Sequence, residues 1–149
     1  LASLRGPPKT SVQFSSNLAS PLSTKALRIG IVGAGMMGQE HIRNIELFGD
    51  DVAQVVAIAE RDPLVREHVK RETKHACPVF ATVEEIIAFD VDAFIVCTPN
   101  YNHIEVLRQI IPTGKHILCE KPLCSTVSHC REVERMLVER EDMAKLEGA

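Results

Sequence analysis

The sequence lacks three things: a surplus of charge of one sign, a long apolar run, and cysteines paired for a metal. Among 149 residues, 17 Lys and Arg face 20 Asp and Glu, a formal charge of −3. That balance excludes a nucleic-acid binder working through a basic face, because phosphate contacts need a Lys/Arg excess. No apolar stretch approaches the roughly 18 residues of a membrane-spanning helix, and the longest runs are strand-sized. Cys77, Cys97, Cys119, Cys124 and Cys130 contain no Cys-x-x-Cys pair. Zinc ligands usually pair across about two to four residues, so no metal site is expected. The five thiols read as reduced and partly buried in an intracellular protein, cytoplasmic by default.

Acid is missing from residues 1–25, which hold Arg5, Lys9, Lys25 and six of the eight serines. A Ser-rich, basic, acid-free leader resembles an organelle transit peptide, for a plastid or mitochondrion; the bland reading is an unstructured extension. In both cases 1–25 stands outside the fold and 26–149 forms one domain. What is present supports a packed core: 45% of residues are hydrophobic and 25% charged, which excludes global disorder.

From residue 26 the chain alternates strand and helix signals. Leu27–Val32, Ala53–Ala59, Ala93–Cys97 and His116–Cys119 are short Ile/Val-rich runs, the composition of strands buried on both faces. Asp62-Pro63 fits an N-cap with a first-turn proline, and Thr82 with Glu85 fits a capping box. Ile104, Leu107, Ile110 and Ile111 recur at helical spacing before Thr113-Gly114 ends the helix. Val127, Cys130, Val133 and Leu137 predict a last amphipathic helix. This rhythm means crossover units and a doubly wound parallel α/β sheet.

Gly33-Ala34-Gly35-Met36-Met37-Gly38 follows the first strand and matches G-x-G-x-x-G. Gly33 allows the tight turn, and Gly35 lets the backbone approach a pyrophosphate. Gly38 shares a helical face with Ile42 and Ile45, where a missing side chain permits close packing on the sheet. The helix that opens at Met36 and Met37 offers free N–H groups to phosphates. Glu60, 22 residues past Gly38 at the end of the second strand, is suited to the adenosine ribose hydroxyls. That carboxylate favours NAD, whereas Arg61 could pair with a 2′-phosphate and admit NADP. Thr98-Pro99-Asn100-Tyr101-Asn102-His103 and Glu120-Lys121-Pro122-Leu123 fall at further strand ends, where open parallel sheets bind ligands. His41, His68, His75 and His129 lie within or at the ends of predicted helices, and His116 starts a strand. Only His103 stands at the ligand edge, with structural hydrogen bonding and ligand contact both open to it.

Residues 27–137 resemble the amino-terminal half of the Gfo/Idh/MocA oxidoreductases. The likeness is carried by Arg28–Gly38, by Ala93–Asn100 with His103, and most specifically by Gly114–Leu123 with its Glu-Lys-Pro-Leu. It implies a Rossmann-type domain in which Gly33, Gly35 and Gly38 bind the pyrophosphate of NAD or NADP, and Glu60 the ribose. Thr98, Pro99 and Asn100 would line the path to nicotinamide, with Glu120 and Lys121 beside it, Lys121 touching the substrate, and Lys121–Pro122 cis. Chemistry agrees, since an ammonium beside a reacting hydroxyl stabilises the developing alkoxide. The family continues into an antiparallel second domain carrying Asp-x-x-x-His, a motif this sequence does not contain; a sixth strand after residue 143 is also missing from the pattern. The expectation is therefore the cofactor half of an NAD(P)-dependent enzyme acting on a sugar, cyclitol or related hydroxyl/carbonyl substrate, inactive alone, with a homo-oligomer expected for the full-length protein. The competing readings are a non-catalytic NAD(P)-binding regulatory module and an S-adenosylmethionine methyltransferase. The methyltransferase gives no reason for Glu120-Lys121-Pro122.

Overall fold

A computed structural model describes residues 25–73 and 77–147. The leader reading (apart from Lys25) and the helix-end assignment of His75 lie outside the described residues. The elements run β1 (Leu27–Val32), α1 (Met36–Phe48), β2 (Ala53–Ala59), α2 (Pro63–Glu72), β3 (Val79–Phe80), α3 (Val83–Ile87), β4 (Ala93–Val96), α4 (His103–Ile110), β5 (His116–Cys119) and α5 (Val127–Glu147). Short 3-10 turns at Asn100–Asn102 and Ile111–Thr113 flank α4.

All five strands are parallel, in the order β3-β2-β1-β4-β5. Alternation along the strands divides the core into two layers. Ile29, Ile31, Ile58 and Ile95 point to the side covered by α1 and α2, where Ile42, Ile45 and Val69 meet them. Val32, Ala57, Ala59, Phe94 and Val96 point to the side covered by α3, α4 and α5, against Ile86, Ile104, Leu107, Ile110 and Val133. Each fully buried Ile or Phe contributes about 1.5–3 kcal/mol, and the two layers define the doubly wound sheet.

The caps form as their chemistry requires. The Asp62 carboxylate accepts from the Leu64 and Val65 amides at 2.8 and 3.3 Å. Thr82 Oγ1 accepts from the Glu85 amide while the Glu85 carboxylate accepts from the Thr82 amide. Gly114, at φ +74°, reverses the chain after α4.

Three expectations need correction. The two-residue β3 had no strand signal of its own; it exists because Val79 and Phe80 pair with Ile58 and Ala59. The strand expected over 93–97 ends at Val96, although the Cys97 amide still donates to the Val32 carbonyl at 2.7 Å. In α5 the packed face is Cys130, Val133 and Met136. Leu137 and Val127, expected on that face, are exposed.

Candidate functional site

Strand order reverses at β1, whose neighbours are β2 and β4. The loops leaving β1 and β4 therefore diverge to opposite faces and open a crevice at the carboxyl edge of the sheet. A cleft of about 870 Å³ occupies that edge, within the usual range for small-molecule and cofactor sites, roughly 300–1,000 Å³. Its walls include Gly33, Gly35, Met36, Met37, Glu60, Arg61, Thr98 and Pro99.

The glycine loop is shaped by contacts that exclude a side chain. Gly33 adopts φ +91°, and a Cβ there would lie 2.7 Å from the Thr98 amide nitrogen. A Cβ on Gly38 would overlap the Gly33 carbonyl oxygen, so α1 sits tight on the turn. At Gly35 the opposite holds, because a Cβ would meet nothing and would project into open space. Gly35 is also the N-cap of α1; it supplies no side-chain cap, and the first turn of α1 holds no acid. The leading amides of α1 thus stay available at the cleft wall, whereas those of α2 and α3 are capped by Asp62 and Thr82.

Glu60 is held in place by two backbone donors. Its Oε2 accepts from the Ala34 amide at 2.8 Å and its Oε1 from the Asp62 amide at 2.9 Å. Arg66 braces the same corner, donating to the Glu60 and Arg61 carbonyls at 2.8 and 2.7 Å. Arg61 is exposed on the rim. Asp62, Glu84 and Glu105 add carboxylates to the cleft lining. Two buried oxygens, Thr98 Oγ1 and Gln109 Oε1, have no hydrogen-bond partner among the described residues, and both residues line the cleft. Free helix amides, an open approach at Gly35, a fixed carboxylate and two unpartnered oxygens fit a dinucleotide.

The remaining expected residues are arranged differently. Asn100 is exposed in its 3-10 turn and Asn102 lines the cleft instead. His103 is not in the cleft wall: it is 1% exposed, with Nε2 2.8 Å from the Thr98 carbonyl oxygen and Nδ1 3.0 Å from that of Pro122. It ties the β4 and β5 loops together, which is the structural one of its two roles. Gly38 acts through packing, beneath the cleft surface. Glu120 and Lys121 follow β5 on the same carboxyl edge as Gly33 and Cys97, as β4–β5 and β1–β4 pairing requires. The Lys121–Pro122 bond is cis. The Glu120 carboxylate reaches α1, its Oε1 2.7 Å from His41 Nε2. That hydrogen bond, with a second from the Lys121 backbone amide to Oε2 at 3.3 Å, holds the Glu120 carboxyl below the usual carboxylate range.

Asp62, Thr82, Glu105 and Gln109 were missed as cleft residues. Asp62 and Thr82 announced themselves only as helix caps, and Glu105 and Gln109 carried no signal apart from following the Thr98 loop. Among the described residues, no three His, Cys, Asp or Glu side chains converge as a metal site, and no helix is long and apolar enough to cross a membrane.

A parallel sheet with this glycine turn, fixed acid and crevice defines a dinucleotide-binding domain. The family model for the oxidoreductase family with an NAD-binding Rossmann fold, GFO_IDH_MocA, matches residues 27–147, and the chain belongs to that family. It is 37% identical over 111 residues to an inositol 2-dehydrogenase of Pseudomonas savastanoi, covering 72% of this chain and 32% of that protein. It is 40% identical over 101 residues to one of Corynebacterium glutamicum strain R, covering 67% and 29%. Among solved structures, GenD2 from gentamicin A biosynthesis, in complex with NAD, superposes with a TM-score of 0.69 at 28% identity, over 78% of this chain and 33% of that one. The chain spans about a third of the length of the curated relatives it matches.

Proposed function

We propose that this chain supplies the cofactor half of an NAD-dependent oxidoreductase that interconverts a hydroxyl and a carbonyl on a sugar, cyclitol or related substrate. The observation that carries the reading is the cleft wall formed by uncapped α1 amides beside Gly35, whose missing Cβ leaves the approach open. The inositol 2-dehydrogenase names of the relatives support the substrate class.

Gly33 sets the turn, and the backbone at Gly35, Met36 and Met37 takes the pyrophosphate. Glu60 takes the ribose, its carboxylate held by Ala34 and Asp62. Glu60, Asp62 and Glu84 disfavour an added phosphate there, and the single exposed Arg61 does not offset them, so NAD is preferred over NADP. Thr98 and Pro99 border the path onward. When bound, nicotinamide supplies the hydride acceptor or donor. Lys121 holds its Nζ proton against the substrate oxygen as negative charge develops there.

Calorimetry of this chain with NAD, NADH, NADP and NADPH tests the first half. Heat with NAD is expected, and none with any of the four at millimolar ligand overturns the dinucleotide reading. The product of the complete gene, assayed with polyols and sugars, tests the second half. NAD reduction lost in Lys121→Ala is expected; binding without turnover would favour a regulatory module instead.

A further inference from the structure

Lys121 follows directly on an acid, and an adjacent carboxylate is the natural partner for an ammonium. Among the described residues, however, Lys121 makes no ion pair. The Glu120 carboxylate is committed elsewhere. Its Oε1 lies 2.7 Å from His41 Nε2, with the two side chains 20% and 23% exposed, and its Oε2 turns back to the Lys121 backbone amide at 3.3 Å. The neighbouring acid, Glu40, is itself paired with Arg43 at 2.7 Å. The Glu120 amide is itself fixed to the Val96 carbonyl at 2.9 Å, so the side chain has a firm base from which to reach α1.

We propose that His41 is a positioning residue: by holding the Glu120 carboxylate on the α1 side, it keeps that carboxylate off Lys121 and leaves the ammonium free for a ligand oxygen. This rests on the reading of Lys121 as the group facing the substrate oxygen. His103 acts on the other flank, with Nδ1 3.0 and 3.2 Å from the Pro122 and Leu123 carbonyl oxygens. The backbone on either side of Lys121 is thus tethered from helices on opposite faces of the sheet, α1 and α4, while its own side chain is exposed.

The test is competitive acylation of this chain with acetic anhydride, read lysine by lysine by mass spectrometry with Lys115 as internal reference. Amine acylation follows the neutral, unpaired fraction. In His41→Leu the released carboxylate turns to Lys121, whose acylation falls about threefold, the size of an exposed ion pair. His41→Gln keeps an N–H donor and restores the rate. In Glu120→Gln the Lys121 rate stays near wild type, and adding His41→Leu to it produces no fall. An unchanged Lys121 rate in His41→Leu overturns the proposal. So does a threefold rise in Glu120→Gln alone, which would mean the carboxylate already pairs with Lys121; that arm stands even if His41→Leu fails to fold. Neither outcome touches the dinucleotide reading, which stands or falls on the calorimetry.

Discussion

Gly35 and Gly38 are three residues apart in one motif, yet the structure predicts opposite consequences for the same substitution. Gly38→Ala puts a Cβ onto the Gly33 carbonyl oxygen and 3.0 Å from its carbon. Both neighbours are backbone and cannot rotate away, so α1 must lift from the turn. Overpacking of this kind costs about 1–3 kcal/mol, against at most about 1 kcal/mol gained from helix propensity. A net loss of up to about 2 kcal/mol follows. Gly35→Ala meets no atom within 4 Å, and its backbone, at φ −64°, suits any residue. Its stability cost is that of a weaker N-cap, under about 1 kcal/mol. Its methyl, however, stands where a pyrophosphate would approach. Losing one or two charge-assisted hydrogen bonds, about 1.5–3 kcal/mol each, weakens NAD binding tenfold or more. Urea denaturation and NAD calorimetry on both variants give the four numbers needed. A Gly38→Ala chain as stable as wild type would refute the packing argument, and undiminished NAD affinity in Gly35→Ala would refute the approach argument.

Further outcomes follow from the same contacts. Asp62→Ala removes the acceptor for two α2 amides and lowers stability by about 1 kcal/mol in urea, with Asp62→Ser recovering most of it. Burial pushes the Cys97 thiol up to about 12 and the Cys119 thiol up to about 11. Both are therefore expected to resist iodoacetamide at neutral pH and to react after denaturation; rapid alkylation of the native chain would contradict their burial. Because those thiols hold their protons more tightly when folded, they stabilise the fold fully below the ordinary thiol value and lose that contribution as pH rises through 11 to 12. The Glu120 carboxyl is depressed in the folded chain, so its contribution is present above the ordinary carboxyl value and is lost as pH falls below that value through the lower folded one. Urea midpoints measured across the acid limb are expected to fall less steeply in Glu120→Gln than in wild type.

Most of the frame was legible because it is written in local chemistry. β1, β2 and β5 fall on the stretches expected from their Ile/Val runs. The caps at Asp62 and Thr82 form as their spacing requires. Gly38 packs under the turn as its placement with Ile42 and Ile45 implied. The candidate site was legible where one segment carries it, as in the glycine loop. It was illegible where partners are far apart: His41 and Glu120 are 79 positions distant, and nothing local in either marks the other. The same reason hides Glu105 and Gln109, which meet the cleft only because α4 docks beside β4.

Apart from β3, residue order alone decided which segments are strands and helices, where the helices begin, and which turn leaves backbone amides free. Those properties depend on neighbours within a few positions, through hydrogen-bond geometry and apolar period. Tertiary structure alone decided that β3 pairs at all, that His103 becomes a buried brace, and that Glu120 faces His41, with Lys121 in no ion pair among the described residues. Those depend on which strand lies beside which, and a parallel sheet brings residues far apart in the chain together on a single edge.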